Sequence, residues 1–315
     1  MKTKMRNNKI NVILATDSNY AQHAAVAMAS VLINTVKPEQ VQFYLIDDNI
    51  NAVAKDKIRH TVEKFGSGVE FLQVDDANLD NVFVSGNLTK AAYLRLYISH
   101  ILPADVHKVI YLDCDLLVLD DIAKMWNLDM QGKPVAAAED FGILASSDKR
   151  KEKEKNLGWK MEYSYFNSGV LMIDVEAWRE YGYSEQLVKL IQERHFRHHD
   201  QDALNYLFMN NWLHLPLRWN VIPPVFNMPL QVALQTDLRK KAVAAMGDMG
   251  IMHYAGGYKP WEYKIYAGFN DKYYEYLAQT DYKDAKMPQP NLKKKGHSIS
   301  RQLWRMKWAR MIAKL

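Results

Sequence analysis

The 315-residue chain holds a single cysteine, Cys114. No internal disulfide can form, and a reducing compartment is expected. No stretch reaches the roughly 18 consecutive apolar residues that a membrane-spanning helix needs. The apolar run near the N-terminus, "INVILA", is too short for the core of a secretory signal, so a cytosolic protein is expected. Acidic residues are missing from 292–315, "LKKKGHSISRQLWRMKWARMIAKL", which carries five Lys and three Arg. Removing those eight charges from the net +5 leaves −3 for the remainder. The body is mildly acidic, so any anionic partner belongs to the tail. Internal repeats and low-complexity blocks are also missing.

What is present is an alternation of short β-branched runs and amphipathic stretches. "KINVILAT" (9–16), "QVQFYLIDD" (40–48) and "VEFLQVD" (69–75) read as strands. Between them, "AQHAAVAMASVLINT" (21–35) and "AVAKDKIRHTVEKF" (52–65) have helical spacing. This order predicts an α/β fold with a mainly parallel, Rossmann-like sheet flanked by helices. "TKAAYLRLYISHIL" (89–102) reads as helical. "KVIYLDCDLLVL" (108–119) is either a buried strand pair or a strand running into a turn. "YFNSGVLMIDV" (165–175) predicts a strand and 176–195 a helix; "DQDALNYLFMN" (200–210) is a short helix with acids in its first turn, which suits the helix dipole. The charge run "SSDKRKEKEKNLGWK" (146–160) reads as a solvated loop. "MGIMHYAGGYKPW" (249–261) is a strand breaking into a glycine-rich loop. One domain over 9–282, a linker at 283–291 and the basic tail at 292–315 account for the chain.

In an open α/β sheet, ligands bind beyond the carboxyl ends of the strands. Polar residues collect at those ends: Asp17 and Asn19, Asp113 and Asp115, and His253 beside its glycines. If 113–115 is extended, period-two alternation sends both aspartates to one side. Two carboxylates that close repel unless a cation lies between them. Oxygen ligands suit Mg²⁺, Ca²⁺ or Mn²⁺, and an imidazole shifts the choice toward Mn²⁺. A D-x-D triplet alone is weakly specific, since many are strand-to-loop turns with solvated acids. His253 alone reads equally as a hydrogen-bonded core residue.

Six segments strengthen the metal reading: "ATDSNY" (15–20), "TKAAYLRL" (89–96), "LDCDLLV" (112–118), "FNSGVLMID" (166–174), "DQDALN" (200–205) and "HYAGGYKPW" (253–261). Their order over residues 9 to about 275 resembles that of the family 8 glycosyltransferases, which include bacterial lipopolysaccharide galactosyl- and glucosyltransferases and glycogenin. The resemblance implies a GT-A fold, a UDP-hexose donor (UDP-glucose or UDP-galactose), Mn²⁺ with Mg²⁺ as a substitute, and transfer with retention of anomeric configuration. The acceptor would be a saccharide, glycolipid or glycoprotein in cell-surface glycan synthesis.

By the same resemblance, Asp113, Asp115 and His253 are the metal ligands. Ala15, Asp17, Asn19, Tyr20 and Cys114 belong to the nucleotide site, with Gly256 and Lys259 at the diphosphate. Asp17 also fits a helix cap, and the two roles are compatible. Lys259 alone would read as a surface lysine. Arg95, Asn167, Ser168, Asp200 and Gln201 match sugar-contacting positions, and hydroxyl-rich hexoses call for such carboxylates and amides. Gln201 matches the residue nearest the sugar's far face but is a feeble nucleophile. That favours a front-face route, in which a departing phosphate oxygen takes the acceptor's proton. The alternative is a covalent glycosyl-enzyme on Asp200 or Asp202. Acceptor selection is expected from 140–165 and 215–230.

In 300–315, Trp304, Trp308, Met311, Ile312 and Leu315 share helical spacing, while Arg301, Arg305, Arg310 and Lys314 lie mostly elsewhere. A basic amphipathic helix reads as an anchor on an anionic membrane surface, here the inner face of the plasma membrane. Packing of its aromatics on the body is the plainer reading. Nothing in the body supports nucleic-acid binding. Rival readings are weaker. A haloacid-dehalogenase-type phosphatase needs Thr or Val where Leu117 stands and its motif near the N-terminus. A UDP-sugar nucleotidyltransferase needs a glycine-rich basic first loop, and "ATDSNY" has neither feature. A non-catalytic carbohydrate- or partner-binding relative would not need competent residues at every metal, phosphate and sugar position.

Overall fold

The computed structural model describes residues 9–73, 94–160, 162–194, 196–226, 234–257, 259–262, 269–286 and 311. The expected linker lies beyond them from 287 onward, as does the tail apart from residue 311, and so do 89–93 of the second motif.

Strand β1 (Ile10–Asp17) is central to a seven-stranded sheet. It is flanked by β2 (Val41–Asp48) and β4 (Lys108–Leu112), both parallel to it, and β3 (Gly68–Leu72) continues the parallel half beyond β2. Beyond β4, strand β7 (Phe166–Asp174) runs antiparallel, then β6 (Val135–Glu139) is antiparallel to β7, and β8 (Leu213–Leu215) is parallel to β6. Alternate residues feed opposite faces. Ile13, Tyr44, Val109 and Tyr111 join one apolar cluster, and Val12, Leu14, Phe43 and Ile110 join the other. All eight are at most 2% exposed, so each contributes on the order of 1.5–3 kcal/mol of burial energy. This double-sided burial is why the strands read as continuous apolar runs rather than as alternating ones.

Helices α1 (Ala21–Asn34) and α2 (Ala52–Glu63) carry the crossovers. Asn51 caps α2 by accepting from the Ala54 N–H at 2.9 Å. Three expectations need correction. Residues 146–160 are not a loop: α3 (Ser147–Leu157) is capped by the Ser146 side chain and closed by Gly158 at φ 65°. Its only buried residues are Lys153 and Leu157, one turn apart. An inward stripe that includes a lysine leaves no apolar period to read. The helix expected near 176–195 is two, α4 (Val175–Tyr181) and α5 (Tyr183–Glu193), divided by Gly182 at φ 60°. The described part of 89–102 is only single turns, Arg95–Tyr97 and Ile98–Ile101.

Of the two readings of 108–119, the structure takes the strand running into a turn. β4 ends at Leu112, and the Asp113 N–H adds one further in-register bond to the Gly169 carbonyl of β7 at 2.8 Å. After a bend at 114–115, β5 (Leu116–Val118) leaves the main sheet and pairs antiparallel with β9 (Ile251–His253). Two further helices matter for the site: α6 (His199–Leu207), packed against β7, and α7 (Phe269–Leu277), packed against α1.

Candidate active site

The β5–β9 pairing places His253 opposite Leu116, one residue from Asp115. The Tyr254 N–H donates to the Asp115 carbonyl at 2.8 Å and tightens this register. His253 Nε2 lies 3.2 Å from Asp115 Oδ1 and 3.7 Å from Asp113 Oδ2. One ligand atom from each of the three residues falls within 4.8 Å of the others, the only such cluster among the described residues. His253, 138 positions from Asp115 and 140 from Asp113 in sequence, thus joins the two aspartates in space.

Each ligand is oriented by a second layer. Asp113 Oδ1 accepts from the Tyr111 hydroxyl at 2.8 Å and faces Arg95 Nη2 at 3.2 Å, so Oδ2 is left toward His253. Burial opposes ionisation of Asp115, but His253 and Lys259 outweigh it and hold the carboxyl well below the usual carboxylate range. Lys259 bonds Asp115 Oδ2 and donates to the Tyr254 carbonyl at 2.9 Å. His253 Nδ1 meets Asn220 Oδ1 at 2.9 Å, while Asn220 Nδ2 donates to Asn167 Oδ1 at 2.9 Å. Since that second bond turns the Asn220 oxygen toward the ring, Nδ1 donates to it, and Nε2 is the nitrogen that faces the carboxylates and would ligate a cation in place of its proton. A Cβ built on Gly169 would fall 2.3 Å from His253 Cε1 and 2.6 Å from Asp113 Oδ2. The space between the ligands is therefore closed on one side by a backbone that tolerates no side chain. Two carboxylate oxygens, one imidazole and this cradle fit Mn²⁺ or Mg²⁺.

A cavity of about 370 Å³ opens beside the cluster, lined by Ala15, Asp17, Tyr20, Arg95, Cys114 and Lys259 among others. Asp17 does not cap α1, whose N-cap residue is Tyr20; it closes the turn before the helix, with Oδ1 accepting from the Tyr20 N–H at 2.9 Å and Oδ2 from Asn19 Nδ2 at 3.1 Å. Tyr20 is 39% exposed and stands edge-on to Trp261. The buried Cys114 thiol donates to the Ala15 carbonyl at 3.2 Å, and burial, reinforced by Asp113 and Asp115, pushes its pKa up, so it is inert. Asn19 and Gly256 are exposed and do not line the cavity; Gly256 adopts φ 93°, which favours glycine.

At the far end, Arg95 lies over the Tyr111 ring, 4.8 Å from its centroid, with Nε 3.0 Å from Asp200 Oδ2. Burial opposes the Arg95 charge, but Asp200, Tyr111 and Asp113 overcome it and raise its pKa. Burial raises the Asp200 carboxyl above its ordinary value despite Arg95. Arg95 Nε and Asp200 Oδ2 touch off the hydrogen-bond line, and both are buried without a hydrogen-bond partner. Gln201 Nε2 donates to Asp140 Oδ2 at 3.2 Å, and Gln201 Oε1 accepts from the Ser168 N–H at 3.1 Å. Asn167 Nδ2 donates to the same Asp140 oxygen at 3.2 Å. Of the expected sugar-site residues only Arg95 lines the cavity; Asn167, Ser168, Asp200 and Gln201 stand behind it, and Asp202 is bonded elsewhere. It is 1% exposed and bonded to Lys153, Tyr165 and the His198 N–H.

Asp140, Gly169, Tyr111 and Asn220 carry much of this geometry and do not stand out in the sequence. Asp140 follows β6 at its carboxyl end, the position that singled out Asp17 and Asp113, so that rule applied consistently finds it. Asn220 follows no strand and carries no such signal.

The family model described as glycosyl transferase family 8 matches residues 11–265. General stress protein A of Bacillus subtilis (strain 168) is 34% identical over 282 residues, which cover 88% of this chain and 96% of that protein. Lipopolysaccharide 1,2-glucosyltransferase of Escherichia coli (strain K12) is 24% identical over 279 residues, covering 87% and 79%. The crystal structure of the galactosyltransferase LgtC with donor and acceptor sugar analogs superposes with a TM-score of 0.72 at 23% identity, covering 86% of this chain and 96% of that one. The mixed sheet, helices on both faces and a site at the carboxyl ends of its strands are the GT-A arrangement of such neighbours. A match spanning most of the sheet and every site segment from β1 to the glycine-rich loop makes the chain a member of glycosyl transferase family 8.

Proposed function

We propose that the protein is a retaining, Mn²⁺-dependent hexosyltransferase that moves glucose or galactose from a UDP-sugar to a saccharide, glycolipid or glycoprotein acceptor. The observation that carries this reading is the convergence of Asp113, Asp115 and His253 on the Gly169 cradle at the edge of the cavity. When bound there, the cation would neutralise charge growing on the leaving diphosphate.

The chain's own groups divide the remaining work. Tyr20 offers an apolar face and Asp17 a carboxylate at the end where a uracil would dock. Lys259 is within reach of the same diphosphate oxygens, and the Gly256 amide would add a donor. Arg95, ion-paired through Nε with Asp200 Oδ2 at 3.0 Å, lines the cavity and would offer its guanidinium to sugar hydroxyls. The sugar end gathers Asp140 and Asp200 against the single Arg95, which supports a neutral hexose over a uronic acid. Burial of Asp202 against Lys153 supports a front-face route, or a covalent route through Asp200, over one through Asp202. The tail, 292–315, would hold the enzyme on an anionic membrane at the inner face of the plasma membrane. No helix among the described residues is long and apolar enough to cross it.

The test is release of UDP from UDP-glucose, UDP-galactose and their N-acetyl forms, with and without Mn²⁺. Turnover of a neutral hexose that chelator abolishes is expected. Binding of these nucleotides without any turnover would mark a non-catalytic relative, and turnover unaffected by chelator would remove the metal from the scheme.

A further inference from the structure

Lys153 and Asp202 are each 1% exposed and form an ion pair between α3 and α6 that the proposed chemistry does not use. Asp202 Oδ1 also accepts the Tyr165 hydroxyl proton, and Oδ2 accepts the His198 N–H at 2.9 Å. With its proton committed to Asp202, Tyr165 presents an oxygen lone pair to Gln201 Nε2 at 3.3 Å. On its other side Gln201 Oε1 accepts from the Ser168 N–H at 3.1 Å and the Ser168 hydroxyl at 3.4 Å. The amide nitrogen therefore faces two acceptors, Tyr165 and Asp140, and the amide oxygen faces two donors. Its orientation is dictated from both ends.

We propose that Lys153 is a positioning residue: its charge keeps Asp202 an acceptor, which holds the Tyr165 proton away from Gln201 and locks the Gln201 amide in one orientation. This rests on the reading of Gln201 as the group beside the donor sugar. The chain of cause is electrostatic. Burial alone would raise the Asp202 carboxyl, but hydrogen bonds from His198, Lys153 and Tyr165 hold it well below the usual carboxylate range. The groups facing it are Lys153 from α3, Tyr165 at the entry to β7, and His198 before α6, whose Nδ1 lies 3.7 Å from Oδ2 and 2.7 Å from Lys153 Nζ. Without Lys153, Asp202 takes up a proton and donates to Tyr165. The Tyr165 hydroxyl then turns its proton toward the Gln201 NH₂ group, which loses one of its two acceptors, and the amide is held only by Asp140 and the Ser168 donors. The function of α3, which sequence patterning had placed in solvent, is to deliver this buried charge.

The experiment compares wild type, Lys153→Met, Lys153→Met/Asp202→Asn and Tyr165→Phe. With glutamine labelled by nitrogen-15, the Gln201 side-chain signal is assigned by its loss in Gln201→Ala. In Lys153→Met that signal should titrate as Asp202 ionises, at a higher pH than Asp202 does in wild type. In wild type and in the double variant it should stay constant, because the neutral amide oxygen introduced by Asp202→Asn still accepts from Tyr165. UDP-glucose hydrolysis by Lys153→Met should lose roughly tenfold to a hundredfold in kcat at low pH, with KM little changed, and recover as pH rises. The double variant should regain activity at every pH. Tyr165→Phe leaves the ion pair intact and safeguards against misfolding of Lys153→Met; it should shift the Gln201 signal and lower kcat without adding an ionisation. A Gln201 signal that neither Lys153→Met nor Tyr165→Phe alters overturns the inference, whatever the enzyme's donor. Absence of hydrolysis in wild type with the predicted titration intact would instead discard the donor-site reading and leave the lock standing.

Discussion

Asn220 turns its side-chain oxygen to His253 Nδ1 at 2.9 Å because its own amide nitrogen is spent on Asn167 Oδ1. A residue 33 positions from the imidazole in sequence thereby decides which ring nitrogen is free for a cation. Asn220→Ala should weaken Mn²⁺ binding by about 10- to 100-fold, the usual cost of losing such a support. Isothermal titration with Mn²⁺ alone reads this directly. Unchanged affinity would mean that the ring holds its orientation without Asn220.

Gly169 has no room for a side chain, its Cβ position falling 2.3 Å from the His253 ring and 2.6 Å from Asp113. Gly169→Ala must push His253 and Asp113 apart, and both are held by other bonds. Overpacking of this kind costs about 1–3 kcal/mol. A lower melting temperature together with loss of Mn²⁺-dependent UDP release is expected.

His23 is buried beneath Trp261, the rings 3.6 Å apart and 17° from parallel, and its Nδ1 meets the Tyr273 hydroxyl at 2.6 Å. Burial lowers its pKa to about 4, with Asp115 opposing. A histidine held neutral in the fold but ionising near pH 6.5 when unfolded stabilises the protein above that pH. The contribution is lost as pH falls from about 6.5 toward 4 and amounts to on the order of 3 kcal/mol. His23→Phe keeps the stack and removes the proton, and Tyr273 retains Gln22 as a hydrogen-bond partner. Its melting temperature should therefore fall less steeply than that of wild type over this interval. Parallel slopes would show that His23 does not govern the acid response.

Arg179 spends its guanidinium on five carbonyls, those of Ser99, Leu102, Pro103, Ala104 and Val106. These bonds shape the chain between the turn carrying Arg95 and the strand leading to Asp113. Arg179→Lys keeps the charge but not the planar fork. About 2–3 kcal/mol of stability should be lost in urea unfolding, from carbonyls left without donors.

Deleting residues 292–315 should release the protein from vesicles containing anionic lipid while UDP-sugar hydrolysis continues. Binding that survives the deletion would place the membrane contact on the body.

The sequence was sufficient for the parallel half of the sheet, since β1, β2 and β3 are short β-branched runs separated by amphipathic helices. It also singled out Asp113 and Asp115, because two acids one residue apart at a strand end demand a counter-charge, whereas His253 joined them only through the family resemblance. It failed on α3, whose inward face is Lys153 and Leu157, and on the division at Gly182 between α4 and α5. Local patterning reports which residues prefer burial on average. A lysine paired with an equally buried aspartate from another helix violates that average.

What the chain determined alone is therefore its layered architecture and the identity of the acids at its edge. Their side chains are polar at positions where solvation or a ligand must compensate them. Only the tertiary structure decided how those side chains are aimed. The antiparallel pairing of β5 with β9 carries His253 to Asp115, the missing side chain of Gly169 leaves room beside them, and Asn220 and Tyr165 are bonded to the His253 ring and the Gln201 amide. Hydrogen-bond direction depends on partners distant in sequence, and no local pattern encodes it.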